Sequence, residues 1–134
     1  MIVTDPQKPQ QKARILVEQN GNVTVVYFQD QGILDEGNIQ RISQELFEMV
    51  DNSVKIKLLL NFEKVEYLSS AVLGKLVALQ KKVAEAKGTL HLCCIRDSIL
   101  KVFQVTKLDK LFKIYDGQAK AVKAFQSISL FGRK

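Results

Sequence analysis

No stretch of this chain approaches the roughly 18 consecutive apolar residues that a bilayer-spanning helix needs, so no membrane span is expected. Cysteine is scarce as well. The only two, Cys93 and Cys94, are neighbours, and on a strand adjacent side chains point to opposite faces, which argues against a disulfide between them. Reduced thiols of this kind fit a cytoplasmic protein. Histidine occurs once, as His91. One histidine and two cysteines without suitably spaced carboxylates make no tetrahedral zinc set, so no metal and no cofactor is expected. Both prolines, Pro6 and Pro9, fall in the glutamine-containing stretch 1–12. That stretch has no apolar signal core and reads as a disordered lead-in, which leaves the cytoplasm as the default compartment.

Catalytic patterns are missing too. There is no G-x-G-x-x-G and no P-loop, which removes the common nucleotide cradles. Ser69 and Ser70 lack the G-x-S-x-G elbow. His91 stands mid-strand between Leu90 and Leu92, where a satisfied structural histidine is expected rather than a general base. Glu63 and Glu66 flank a loop, and nothing in the pattern brings them onto one buried face. With no acid, base or nucleophile gathered, no catalytic residue is assigned and the chain is expected not to be an enzyme.

What is present is ordinary globular composition, 46% hydrophobic and 25% charged over 134 residues, enough for one domain with its own core. Charge is unevenly placed. Residues 1–95 hold 11 basic and 11 acidic side chains, whereas residues 96–134 hold 9 and 3, which accounts for the whole net charge of +6. A basic third suits nucleic acid, an acidic protein or an anionic membrane. Its basic residues are spaced singly with no arginine cluster, which speaks against nucleic acid and for a solvated lysine-rich face.

Residues 13–19 and 23–29 are rich in β-branched and aromatic residues and are separated by Asn20-Gly21, a hairpin signal. Asp35 suits an N-cap for a helix carrying Ile39, Ile42, Leu46, Phe47 and Val50. Residues 54–62 begin by alternating and end nearly continuously apolar, the mark of a strand covered on both faces. Ser69 or Ser70 caps a second helix through about residue 87, with Gly88 as its stop. Residues 89–95 form the next strand. Asp97 or Ser98 caps a short helix, residues 111–115 make a last strand, and Asp116-Gly117 turns into a final helix that thins out after about residue 127. The order β-β-α-β-α-β-α-β-α predicts an α/β domain: a mostly parallel, mixed sheet of about five strands with an N-terminal β-hairpin and four helices. It divides as lead-in 1–12, domain 13–127 and basic tail 128–134.

The run from Leu58 to Gly74, LLLNFEKVEYLSSAVLG, resembles the signature of STAS domains, the anti-sigma factor antagonists and their relatives. The resemblance extends to Leu34-Asp35, to Gly88 and the strand after it, and to the region of Val102-Phe103, Leu108 and Leu111-Phe112, over about residues 13–126. It implies a STAS-like single domain and a partner-switching regulator. In such families the antagonist binds an anti-sigma factor that is a serine kinase of the histidine-kinase-like ATPase fold. The kinase phosphorylates a serine at the start of the second helix, and a serine phosphatase reverses it. Matching the family's D-S-S-G-L-G places the phosphoacceptor at Ser70, with Ser69 as second choice. Ser69 stands where the family has aspartate, Val72 where it has glycine, and Asn61 where the preceding strand ends in aspartate. Members without a working phosphosite still bind partners or form multi-domain and oligomeric assemblies.

The partner surface implied is Asp35, Asn61, Leu68, Ser69, Ser70, Ala71, Val72, Leu73, Gly74 and Lys75. The plain role of the two hydroxyls is N-capping, worth about 1 kcal/mol. An alternative follows from the same resemblance: STAS-like domains also stand beside anion transporters and serve as soluble subunits of lipid transporters, so the chain would be a transporter accessory subunit.

Overall fold

The computed structural model describes residues 15–30, 32–33 and 36–132. Asp35, the lead-in 1–12 and residues 133–134 lie outside the described residues. Strand β1 (Ile15–Asn20) runs antiparallel to β2 (Val23–Phe28), with Asn20 paired to Val23. The connecting pair is therefore Gly21-Asn22, one residue later than Asn20-Gly21. Gly21 has φ +64°, which a II′ hairpin turn requires at its first central position and which glycine supplies without strain.

The short strand β3 (Gly32–Ile33) leads to helix α1 (Glu36–Asp51). Then come β4 (Lys57–Asn61), the short β5 (Tyr67–Leu68) and helix α2 (Ser70–Glu85). Strand β6 (Thr89–Cys93), helix α3 (Asp97–Val105), a 3₁₀ turn at Leu108–Lys110, β7 (Lys113–Tyr115) and helix α4 (Gln118–Gly132) follow. The main sheet has the order β1-β2-β4-β6-β7, with β2, β4, β6 and β7 mutually parallel. Among the described residues the architecture is thus the α/β arrangement expected: four helices and a five-stranded mixed sheet that begins with a hairpin.

β4 is central because its residues are apolar on both faces. Leu58 and Leu60 enter the larger core beneath α1, α2 and α3, while Leu59 enters a smaller core beneath α4 with Val23, Val25, Cys93, Ala121 and Phe125. All three leucines are fully buried. Several boundaries differ from the sequence pattern for local reasons. Lys55 adopts φ +51° and Val54 is exposed, so β4 starts at Lys57. The amides of Leu111 and Phe112 donate to the Leu108 carbonyl, so β7 starts only at Lys113. α3 is preceded by Arg96 without a side-chain cap, and Asp97 lies in its first turn instead. α4 continues to Gly132.

The end of α2 corrects the role given to Gly88. The left-handed residue is Lys87, φ +64°. The Gly88 amide donates to the Val83 carbonyl at 2.9 Å and the Lys87 amide to Ala84 at 3.0 Å, the two bonds of a Schellman motif. Gly88 is required for a different reason: a Cβ there would lie 2.6 Å from the Ile56 carbonyl oxygen.

Candidate functional site at the start of helix α2

The α2 N-terminus sits beyond the carboxyl end of β4, reached through residues 62–66 and β5. That is where parallel sheets leave room for recognition. The turn is held from below. The Phe62 amide donates to the Cys93 carbonyl at 3.0 Å, and the Val65 amide to the Phe62 carbonyl at 2.9 Å. Phe62 and Val65 are fully buried, and the Phe62 ring lies 4.9 Å from that of Phe28.

Ser69 has extended backbone, φ −88° and ψ 165°, and its Oγ accepts the Val72 amide at 3.3 Å. It is the N-cap. Ser70 is the first helical residue and is exposed. Ala71 and Gly74 are exposed beside it, and apart from the helix's own neighbouring backbone no described atom lies within 4 Å of where a Gly74 Cβ would stand. A partner can therefore approach the α2 backbone closely here. The first turn of α2 carries no acidic side chain, so the partial positive charge of the helix end is uncompensated.

The other residues expected at this surface are distributed unequally. Val72 and Leu73 are buried in the core beneath α2. The helical turn that exposes Ser70 and Ala71 rotates them inward, so their side chains shape the surface without forming it. Leu68 is half-buried against the same core, and Lys75 is half-buried at a narrow apolar cleft between α1 and α2 lined by Ile39, Ser43 and Val72. Asn61 is buried too. Its Oδ1 accepts the Glu63 amide at 2.8 Å and its Nδ2 donates to Gln118 Oε1 at 2.8 Å. Gln118 Nε2 in turn donates to the Tyr27 hydroxyl at 2.8 Å, and Tyr27 donates to Glu18 Oε1 at 3.1 Å. Asn61 thus anchors the turn to α4, and Asp35 is not among the described residues.

Two features were not singled out from the sequence. Tyr67 is exposed, one residue ahead of Leu68, and the alternation of a short strand would have pointed to it. Arg96 Nη2 lies 3.5 Å from Glu66 Oε2, joining the turn to the start of α3. Away from the turn, His91 is buried with Nδ1 3.2 Å from the Leu90 carbonyl and Nε2 without a hydrogen-bond partner among the described residues. Its ring packs 4.1 Å from Phe125 and 5.1 Å from Tyr115, centroid to centroid. Burial, with Lys113 nearby, pushes its pKa below the ordinary value. Burial likewise pushes the Cys93 thiol well up, with Cys94 and Glu63 adding to the shift, so it is not a thiolate nucleophile.

Fold and site together define a small α/β domain that presents the start of a helix beyond the carboxyl end of a parallel strand. The family model of the STAS domain matches residues 14–121, and the chain belongs to that family. It is 25% identical over 97 residues to a Bordetella bronchiseptica protein named as anti-sigma factor antagonist BtrV, covering 72% of this chain and 83% of that one. Among solved structures it resembles an anti-sigma-factor antagonist STAS domain protein from Planctomyces limnophilus, with TM-score 0.75 and 27% identity, covering 82% of this chain and 96% of that one. The fold is also that of the Bacillus anti-sigma factor antagonist SpoIIAA, solved in unphosphorylated and phosphorylated forms. The unphosphorylated form has TM-score 0.63 at 17% identity over 87% of this chain and 98% of that one. The chain is an anti-sigma factor antagonist-like STAS domain.

Proposed function

We propose that the chain is a non-enzymatic, cytoplasmic partner-switching regulator that binds an anti-sigma factor through the start of α2. The partner is a serine kinase of the histidine-kinase-like ATPase fold, and Ser70 is the phosphoacceptor. The observation that carries this reading is the division of labour between the two hydroxyls. Ser69 Oγ is engaged in the cap, while Ser70 is exposed at the first helical position.

In the switch, Ser70 Oγ attacks the γ-phosphorus of ATP. The bond to ADP breaks, the Oγ–P bond forms, and the hydroxyl proton leaves to a base of the kinase. The new group brings about −1.5 to −2 charges. The helix end, with no acidic side chain of its own in the first turn, tolerates that charge within the domain. A partner packed against Ala71 and Gly74 meets it as desolvated or like charge, and affinity falls. A serine phosphatase restores the binding form by hydrolysis.

The test is a pull-down from the source cell with wild type and Ser70→Asp, followed by incubation of the captured kinase with ATP and intact-mass measurement. One added phosphate is expected in wild type and in Ser69→Ala, and none in Ser70→Ala. Equal capture of the same partner by wild type and Ser70→Asp would defeat the switch.

A further inference from the structure

β1 and β7 are the two edges of the main sheet, four strand spacings or roughly 19 Å apart, and the surfaces beside them have opposite character. Beside β1 a groove runs between the hairpin and the last turns of α1. Its lining is mixed: Ile15 and Val17 of β1, Met49 and Ile56 are apolar, and the rest is polar and includes the exposed carboxylates Glu45 and Glu48. Val17 is 44% exposed there. Beside β7 stands a ridge. Val102 and Val105, neighbours on one side of α3, are 42% and 82% exposed, and Leu111 beyond the 3₁₀ turn is 40% exposed. The exposed Lys101, Lys107 and Lys110 flank them. Residues 96–115 carry five basic and two acidic side chains, whereas residues 36–51 carry four carboxylates and one arginine.

Isolated exposed apolar residues need no explanation. A basic ridge with exposed valines on one edge and an acidic, partly apolar groove on the other, in one chain, are complementary in charge, and each offers some apolar surface. Within one molecule the sheet holds them apart. We infer that the ridge beside β7 of one copy docks in the groove beside β1 of a second copy. The contact is head-to-tail, so a pair keeps one free ridge on one copy and one free groove on the other, and association extends to a ring or a filament. It uses none of the exposed residues at the start of α2, so its failure and that of the Ser70 reading are told apart by where the substitutions act.

The experiment is sedimentation velocity on the full chain at low and high salt, with two charge-swapped variants, Glu45→Lys/Glu48→Lys and Lys101→Glu/Lys107→Glu. Wild type should sediment faster than a monomer at low salt. It should shift toward monomer at 1 M salt, where the Debye length falls to about 3 Å. Each variant alone should associate at least about tenfold more weakly, about 1.4 kcal/mol. Mixing the two should restore association, because each then meets the opposite charge. Val105→Ser, at a position too exposed to matter for folding, should weaken association without altering the circular dichroism spectrum. A wild type that stays monomeric at low salt, variants that associate like wild type, or a mixture that fails to recover would each overturn the inference. So would a monomeric wild type that binds phosphatidylglycerol vesicles through Lys101 and Lys107, since the ridge would then serve a lipid surface.

Discussion

Ser69 and Ser70 are chemically identical and adjacent, yet the backbone gives them different work. Ser69 is extended and its Oγ receives the Val72 amide, while Ser70 is already helical and faces outward. Ser69→Ala should therefore lower unfolding stability by about 1 kcal/mol. Ser70→Ala should change it by no more than about 0.5 kcal/mol. Urea titration of the two variants separates them. Lys87 and Gly88 make a second such pair. Lys87→Gly should relieve left-handed strain and raise stability by about 0.5–1 kcal/mol. Gly88→Ala should lower it by about 1–3 kcal/mol, because the new methyl has the Ile56 carbonyl in its way. The same titration reads both. The sequence pattern marks a helix stop here, but it does not say which residue turns left-handed. That is decided by the approach of the chain to Ile56, a contact with no local signature.

At the scale of elements, α4 closes the second face of the sheet with Ala121, Val122 and Phe125, and His91 lies beneath it. The apolar face of a helix over a buried imidazole is a pH-sensitive joint. His91 has a folded pKa below its ordinary value of 6.5, so the unfolded chain binds the proton more readily than the folded one. The stabilisation from keeping the ring neutral is complete above the unfolded pKa and is lost as pH falls through the folded one. Unfolding free energy should hold near neutral pH and decline below about 6.5. In His91→Leu the decline in that window should vanish, which denaturant melts at a series of pH values would register. Reading His91 as a structural strand residue needs only its two leucine neighbours. The unpartnered Nε2 and the aromatic cover come from α4 and β7, distant in sequence. Likewise β4 is visible as a doubly covered strand from Leu58, Leu59 and Leu60. The placement of Asn61 under α4 depends on Gln118, 57 residues on, which no local pattern reports.

For the molecule as a whole, folding and recognition are separable. Ser70→Glu adds charge where the helix end accepts it, so the melting temperature should stay within a few degrees of wild type or rise slightly. Partner capture should fall at the same time. A calorimetric scan beside a pull-down reports both, and a Ser70→Glu protein that melts markedly earlier would mean that the switch acts through the fold. The order of strands and helices and the STAS resemblance were readable because periodicity and the Leu58 to Gly74 run are local. Which of the expected surface residues face outward was not. Val72 and Leu73 turn inward by helical geometry once Ser69 fixes the start of α2.

The smallest strands have a consequence for motion. Gly32–Ile33 pairs in parallel with Tyr67–Leu68, a clip of two residues per side that ties the approach to α1 to the approach to α2. These ladder bonds cannot break on one side alone. In hydrogen–deuterium exchange the two segments should open as a single cooperative unit, and slowing at Tyr67–Leu68 caused by a bound partner should appear equally at Gly32–Ile33. A contact made at one helix start would then stiffen the other, although nothing touches it.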